Sequence, residues 1–265
     1  MEMITPDDLP RALATPRGRY GLITFDDGYR DNYDVAFPIL KAAGVPATFF
    51  ITTGFIDTPC IAWWDEIAWM VRTSQRNSIE LVGWIPNPLS FDEPDREQAV
   101  RTLLRAYKAM PADSTASFLD AIAGATESGR YGATEGESPW MNWEMLREMH
   151  LAGMTVGGHT VTHPILARAS RERQRAEIMG CSKRLAEEIG EPMRYFSYPV
   201  GGHEAFDSVT RELLREAGVQ IAFSYYGGFR GRNDWDNYDV RRVRIDASVS
   251  SDWFRSIVSL PRFFA

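Results

Sequence analysis

The chain reads as an α/β protein built on a parallel sheet, and three observations carry that reading. Short apolar runs alternate with segments of helical character that end at a glycine, from residue 20 to about residue 245. The chemically distinctive residues fall just after the apolar runs, where parallel α/β sheets place their sites. With 265 residues, 44% hydrophobic and 25% charged, the chain can bury one large core.

Taken in order, Tyr20-Gly21-Leu22-Ile23-Thr24-Phe25 predicts a buried strand, with Asp26 and Asp27 at its end and Gly28 allowing a sharp turn. Residues 32–43 predict a helix stopped by Gly44, and residues 46–51 the next strand. Residues 55–140 are more than the repeat needs and read as a helical elaboration inserted into one domain spanning 1–265. Helices are expected there at 95–110 and 115–123, between prolines. The insertion holds five of the eight tryptophans; their faces suit sugar rings, but packing is their expected role. Beyond it come a helix at 142–152, a strand at 154–156, and a helix at 170–189 with Ile178, Ser182, Leu185 and Ile189 on one face. A strand at 194–198, a helix at 206–217, and strands at 219–224 and 240–245 complete the alternation.

Two adjacent carboxylates repel unless a cation or a proton lies between them, so Asp26 and Asp27 suggest a metal, one ligating it and the other free to take a proton. Candidate partners lie in Gly157-Gly158-His159-Thr160-Val161-Thr162-His163-Pro164, which carries two of the four histidines. Pro164 disfavours helical geometry at His163, which puts the pair on a strand-to-loop corner. Two imidazoles and a carboxylate, with a position open for water, is a ligand set of catalytic zinc sites.

Thr24-Phe25-Asp26-Asp27-Gly28 and His159-Thr160-Val161-Thr162-His163-Pro164 resemble the first two motifs of the polysaccharide deacetylases, the NodB-homology enzymes of carbohydrate esterase family 4. Phe196-Ser197-Tyr198-Pro199-Val200-Gly201 resembles their third. The resemblance implies a distorted (β/α) barrel of about seven parallel strands and one divalent metal ion, zinc being the expected one. It implies removal of N-acetyl groups from N-acetylhexosamine units of a glycan or glycoconjugate by metal-bound water. Carried over, Asp26 matches the general base; Asp27, His159 and His163 match the metal ligands. The Val200 backbone N–H matches an oxyanion donor, and Tyr198 and Pro199 match the floor of the substrate groove.

Two departures stand out. Ser197 occupies the position where the family carries an arginine that holds the base, and no histidine follows His203, where the family has a late histidine acid. By strand alternation Arg242 lies opposite Arg241 and Val243, so it is the candidate replacement for the arginine, against a solvated strand edge for these residues. His203, on a glycine-rich loop after the third motif, is the candidate acid; alternatively Asp26 passes its own proton on. Some members of the superfamily lack the metal and hydrolyse small cyclic amides, an alternative that the retained Asp27, His159 and His163 argue against; the two departures motivate a catalytically weak glycan-binding protein.

A net charge of −7 without a basic stripe argues against nucleic acid as partner. Cys60 and Cys181 lack metal-like spacing and imply no disulfide framework. No signal peptide or transmembrane run is seen, so the chain as it stands is expected to be cytoplasmic, with envelope association if its N-terminus is truncated.

Overall fold

In the computed structural model, which describes residues 1–15, 18–58, 60–92, 94–132, 138–228, 234–246 and 248–260, the expected first strand is divided at Leu22. β1 (Glu2–Met3) and α1 (Leu9–Ala14) open the chain; β2 (Tyr20–Gly21) pairs with β1, and β3 (Ile23–Phe25) enters the main sheet. Then follow α2 (Phe37–Ala43), β4 (Ala47–Ile51) and the short α3 (Thr53–Asp57). The helix expected from residue 32 begins instead as a wide π turn over Asn32–Ala36, in which the Phe37 N–H donates to the Asn32 carbonyl. Pro38 is the physical reason: it has no N–H to donate to Asp34, and its ring crowds that carbonyl in regular α geometry.

Contacts divide the chain into two compact units, residues 57–139 and the rest. The smaller comprises α4 (Trp63–Thr73), the antiparallel pair β5 (Ser78–Ile79) and β6 (Leu89–Ser90), α5 (Asp95–Ala109) and α6 (Thr115–Thr126). Its aromatic rings pack on one another: Trp63 stacks on Tyr107 with centroids 4.0 Å apart, and Trp69 meets Tyr131 edge-on at 5.3 Å. Arg130 grips the buried Glu66 carboxylate with two bonds, of 2.7 and 2.9 Å.

The larger unit resumes with α7 (Trp143–Leu151), β7 (Thr155–Gly158), α8 (Arg171–Ile189), β8 (Tyr195–Ser197), α9 (Ser208–Glu216), β9 (Ile221–Ser224), β10 (Val240–Arg241) and α10 (Ser251–Ser259). Helix ends follow the sequence signals. The Ser170 side chain accepts from the Arg173 N–H at the start of α8, Gly190 ends it at φ +82°, and Gly44 ends α2 at φ +62°. Among the described residues six parallel strands form the main sheet in the order β10-β9-β8-β7-β4-β3.

β4 lies inside that order and all five of its residues are buried, as a strand covered on both faces requires. Phe49 and Ile51 join Leu146 and Met149 of α7 on one side, with Phe196 and Ala222 meeting α8 and α9 in an adjoining cluster. The alternate residues Phe50, Tyr195, Ile221 and Phe223 form an inner cluster with Leu9, Leu22 and Trp235. The sheet curls into the distorted (β/α) barrel, and its two edge strands come within reach of one side chain: Arg242, just after β10, donates to Thr24 Oγ1 on β3 at 2.9 Å. No helix among the described residues is long and apolar enough to cross a membrane.

Close approach of the strands explains the paired glycines of β7. A Cβ on Gly157 would lie 2.6 Å from the Phe50 ring and 2.9 Å from the Tyr195 carbonyl oxygen, and one on Gly158 would lie 2.2 Å from Met193 Sδ. Gly157→Ala is therefore expected to destabilise the fold by about 1–3 kcal/mol in chemical denaturation, the range for overpacking a close-packed core.

Candidate active site

Asp27, His159 and His163 come together from two loops. Asp27 follows β3 and the histidines follow β7; His159 Nε2 lies 3.3 Å and His163 Nε2 3.4 Å from Asp27 Oδ1. One ligand atom from each lies within 4.8 Å of the others, and both imidazoles are buried. Atoms bound at about 2.1 Å around a tetrahedral zinc ion stand about 3.4 Å apart, so the Asp27–histidine separations suit such an ion. His159 Nδ1 is 2.7 Å from the Ser197 carbonyl oxygen, which can only accept; the ring therefore donates there and turns Nε2 toward Asp27. Burial and the neighbouring His159 bring the pKa of His163 down to about 3, keeping that ring in the neutral form a metal ligand needs. For His159 burial acts in the same sense, but the charges of Asp26 and Asp27 overcome it and raise its pKa above the usual value.

Asp26 is held differently. Arg242 donates to Asp26 Oδ1 and Oδ2, each at 2.7 Å, and the Ser197 hydroxyl donates to Oδ2 at 3.0 Å. The same guanidinium reaches the Ser197 hydroxyl at 2.7 Å, Thr24 Oγ1 at 2.9 Å and, through Nε, the Ser224 carbonyl at 3.1 Å. That employs all five of its N–H donors. Burial opposes the charge on Asp26, but Arg242, with His159, outweighs it and brings the pKa down to about 2. Ser197, where a family arginine was expected, is thus small enough to let an arginine from beyond another strand reach the same carboxylate. β10 itself ends at Arg241, so Arg242 lies just past the strand and not within the longer strand expected over 240–245.

The third loop contains Tyr198, Pro199, Val200 and His203. Val200, a β-branched residue, has φ +63°, and Gly201 follows at +66°. The Gly201 carbonyl accepts the Tyr225 N–H at 2.7 Å, and a Cβ on Gly201 would lie 2.5 Å from Tyr225 Cβ. Among the described residues the Val200 N–H donates to no protein acceptor. Tyr198 and Pro199, matched by the resemblance to the floor of the substrate groove, are both buried. The Tyr198 ring stacks on Phe206 with centroids 3.8 Å apart, and its hydroxyl donates to the Tyr238 carbonyl, so it packs the loop from within. His203 is not drawn into the cluster. Its side chain is 76% exposed, its Nε2 lies 3.7 Å from Glu204, and its ring stands 6.1 Å from Tyr226.

With this geometry in place, comparison with known proteins is direct. The polysaccharide deacetylase family profile matches residues 14–222. The chain belongs to that family. YxkH of Bacillus subtilis, named as a polysaccharide deacetylase, is 21% identical over 260 residues, covering 97% of this chain. The chain spans 63% of the length of that relative. Among solved structures, the Streptococcus pyogenes deacetylase PplD is 18% identical with a TM-score of 0.59, covering 94% of this chain and 76% of its own. A de-N-acetylase from Aggregatibacter actinomycetemcomitans is 16% identical with a TM-score of 0.58, covering 96% and 82%. At these identities the likeness is one of fold.

Several residues that build the site carry no local signal. The exit of β4 ties the metal-side loops together: the Thr52 N–H donates to the Asp27 carbonyl at 3.2 Å, Thr53 N–H to Thr160 at 3.1 Å, and Gly54 N–H to Val161 at 2.9 Å. Only the pairing of β4 between β3 and β7 reveals this role. Four of the five non-glycine residues with positive φ among the described residues, Asp27, Thr160, His163 and Val200, lie on these loops. Each such conformation costs about 1–3 kcal/mol and persists only where neighbours over-determine it.

Arg242→Ala should destabilise the protein by about 2–4 kcal/mol in chemical denaturation, somewhat below the range for a fully buried pair because Asp26 retains 23% exposure. Asp26→Asn in the same chain should recover part of that loss, since the two sites are directly coupled.

Proposed function

We propose that the protein is a metal-dependent hydrolase that removes N-acetyl groups from N-acetylhexosamine units of a glycan or glycoconjugate. The observation that carries this reading is the Asp27, His159 and His163 cluster standing beside a separately held, ionised Asp26. A divalent cation at the cluster would polarise the acetyl carbonyl and bring the pKa of water toward about 7. Asp27, His159 and His163 would hold it, with Ser197 fixing the His159 tautomer.

The carboxylate of Asp26 offers about four acceptor positions. Arg242 and Ser197 together occupy three, two of them on Oδ2. The remaining one, on Oδ1, is where we place the proton taken from the attacking water. Held ionised at neutral pH by Arg242, Asp26 can both orient that water and take its proton. The Val200 N–H, which donates to no protein acceptor among the described residues, would receive the developing oxyanion. His203 lies on the surface, so we assign the return of the proton to the leaving nitrogen to Asp26 Oδ1. The naming of one structural neighbour as a de-N-acetylase supports amide hydrolysis as the reaction class. The catalytically weak alternative rests on the missing late histidine and on Ser197 in place of an arginine; Arg242 supplies the guanidinium, which favours turnover on the second count.

The wild-type chain should bind one zinc ion tightly, and His159→Ala and Asp27→Ala should abolish that site in metal titration of the purified proteins. Asp26→Asn should keep the metal and lose about 10²–10⁴-fold in kcat on an N-acetylated oligosaccharide, the usual contribution of a general base. A wild-type rate in that variant would remove Asp26 from the reaction.

A further inference from the structure

We infer that Glu177 is a positioning residue for the metal centre, setting the relation of His159 to His163 by gripping the turn between them. This inference rests on the metal-site reading above. Glu177 lies on α8, 6% exposed and well separated in sequence from either histidine. Its Oε2 accepts the N–H of Val161 at 2.9 Å and of Thr162 at 2.8 Å, and its Oε1 accepts the Thr162 hydroxyl. Two successive backbone donors converging on one carboxylate oxygen form an anion nest. Here the nest is formed by the second and third of the three residues that separate the two imidazoles.

The same face of α8 is shaped to meet this turn. Gly180 and Cys181 stand three and four residues beyond Glu177, so all three share one side of the helix. A Cβ on Gly180 would lie 3.0 Å from Val161 Cγ2, and one on Gly158 would lie 3.0 Å from Cys181 Sγ. Inside the turn, the Thr160 hydroxyl donates to the His159 carbonyl and accepts the His163 N–H at 3.0 Å. Thr160 and His163 both have positive φ, at 69° and 58°. A turn carrying two such residues relaxes when an anchor is removed, and relaxation there swings His163 relative to His159. Glu177 touches neither imidazole; it acts on the metal through the backbone that carries them.

The experiment titrates zinc into metal-free wild type, Glu177→Ala, Glu177→Gln and Thr162→Ala by calorimetry, and records the melting temperature of each metal-free protein. Glu177→Ala should weaken zinc binding about 10- to 100-fold, the range for partners that orient metal ligands. Glu177→Gln should retain most of the affinity, because its carbonyl oxygen can accept both N–H groups while its amide donates to Thr162. Thr162→Ala, which deletes one bond from an exposed residue, should fall between wild type and Glu177→Ala, and it decides the matter if Glu177→Ala does not fold. Wild-type affinity in Glu177→Ala with only a lowered melting temperature would overturn the inference and leave Glu177 a structural lock. So would a glutamine variant as weak as the alanine one, or an unchanged Thr162→Ala where Glu177→Ala cannot be measured. If wild type itself takes up no zinc, the metal-site reading falls first and this inference with it, and the defect is then seen before any substitution.

Discussion

Arg242 closes the sheet. β3 and β10 are opposite edges of a six-stranded order, and the guanidinium beyond β10 bonds to Thr24 and Asp26, at and just beyond the end of β3. A parallel sheet with two open edges would leave a cleft at that point. Here the edges meet through a fully employed arginine in place of a ladder of backbone bonds. The pair also sets the electrostatics of the candidate site, because it keeps Asp26 charged a short distance from two histidines that Asp27 must hold close together.

Ser197 links the two halves of that arrangement. Its carbonyl accepts from His159, and its hydroxyl lies between Arg242 and Asp26. A single residue of β8 thus orients a candidate metal ligand with its backbone and a candidate base with its side chain. The exit of β4 does similar work from the other side by bonding to the loops after β3 and β7. These contacts offset the positive-φ backbone of Asp27, Thr160 and His163, which elsewhere would relax into commoner conformations. Neighbouring strands and one helix thus brace the loops from outside, beside the bonds Thr160 makes within the histidine turn.

Some elements were legible because their signals are local. α8 is announced by Ser170 before it, Gly190 after it and an apolar face between, and the structure places its ends within one residue of that reading. Other features depend on partners far away in sequence. The strand expected at residues 20–25 splits because Tyr20 and Gly21 find β1, which has no apolar run to betray it. Tyr198 matches a groove residue by motif, yet the nearby Phe206 ring draws it inward. His203 follows the third motif closely, but nothing in that spacing states that the loop turns its side chain to solvent.

By itself the sequence determined the parallel α/β alternation and the identity of the four clustered residues Asp26, Asp27, His159 and His163. Apolar periodicity and helix caps act over a few residues, and paired carboxylates and paired histidines are distinctive wherever they stand. Alternation offered Arg242 as able to project inward, against a solvated strand edge. Only the tertiary structure decided that its guanidinium spans the two edges of the sheet, that Ser197 makes room for it, and that Glu177 grips the histidine turn. Those outcomes depend on strand order and on how far the sheet curls, which are set by packing of the whole core and are written in no single stretch of the chain.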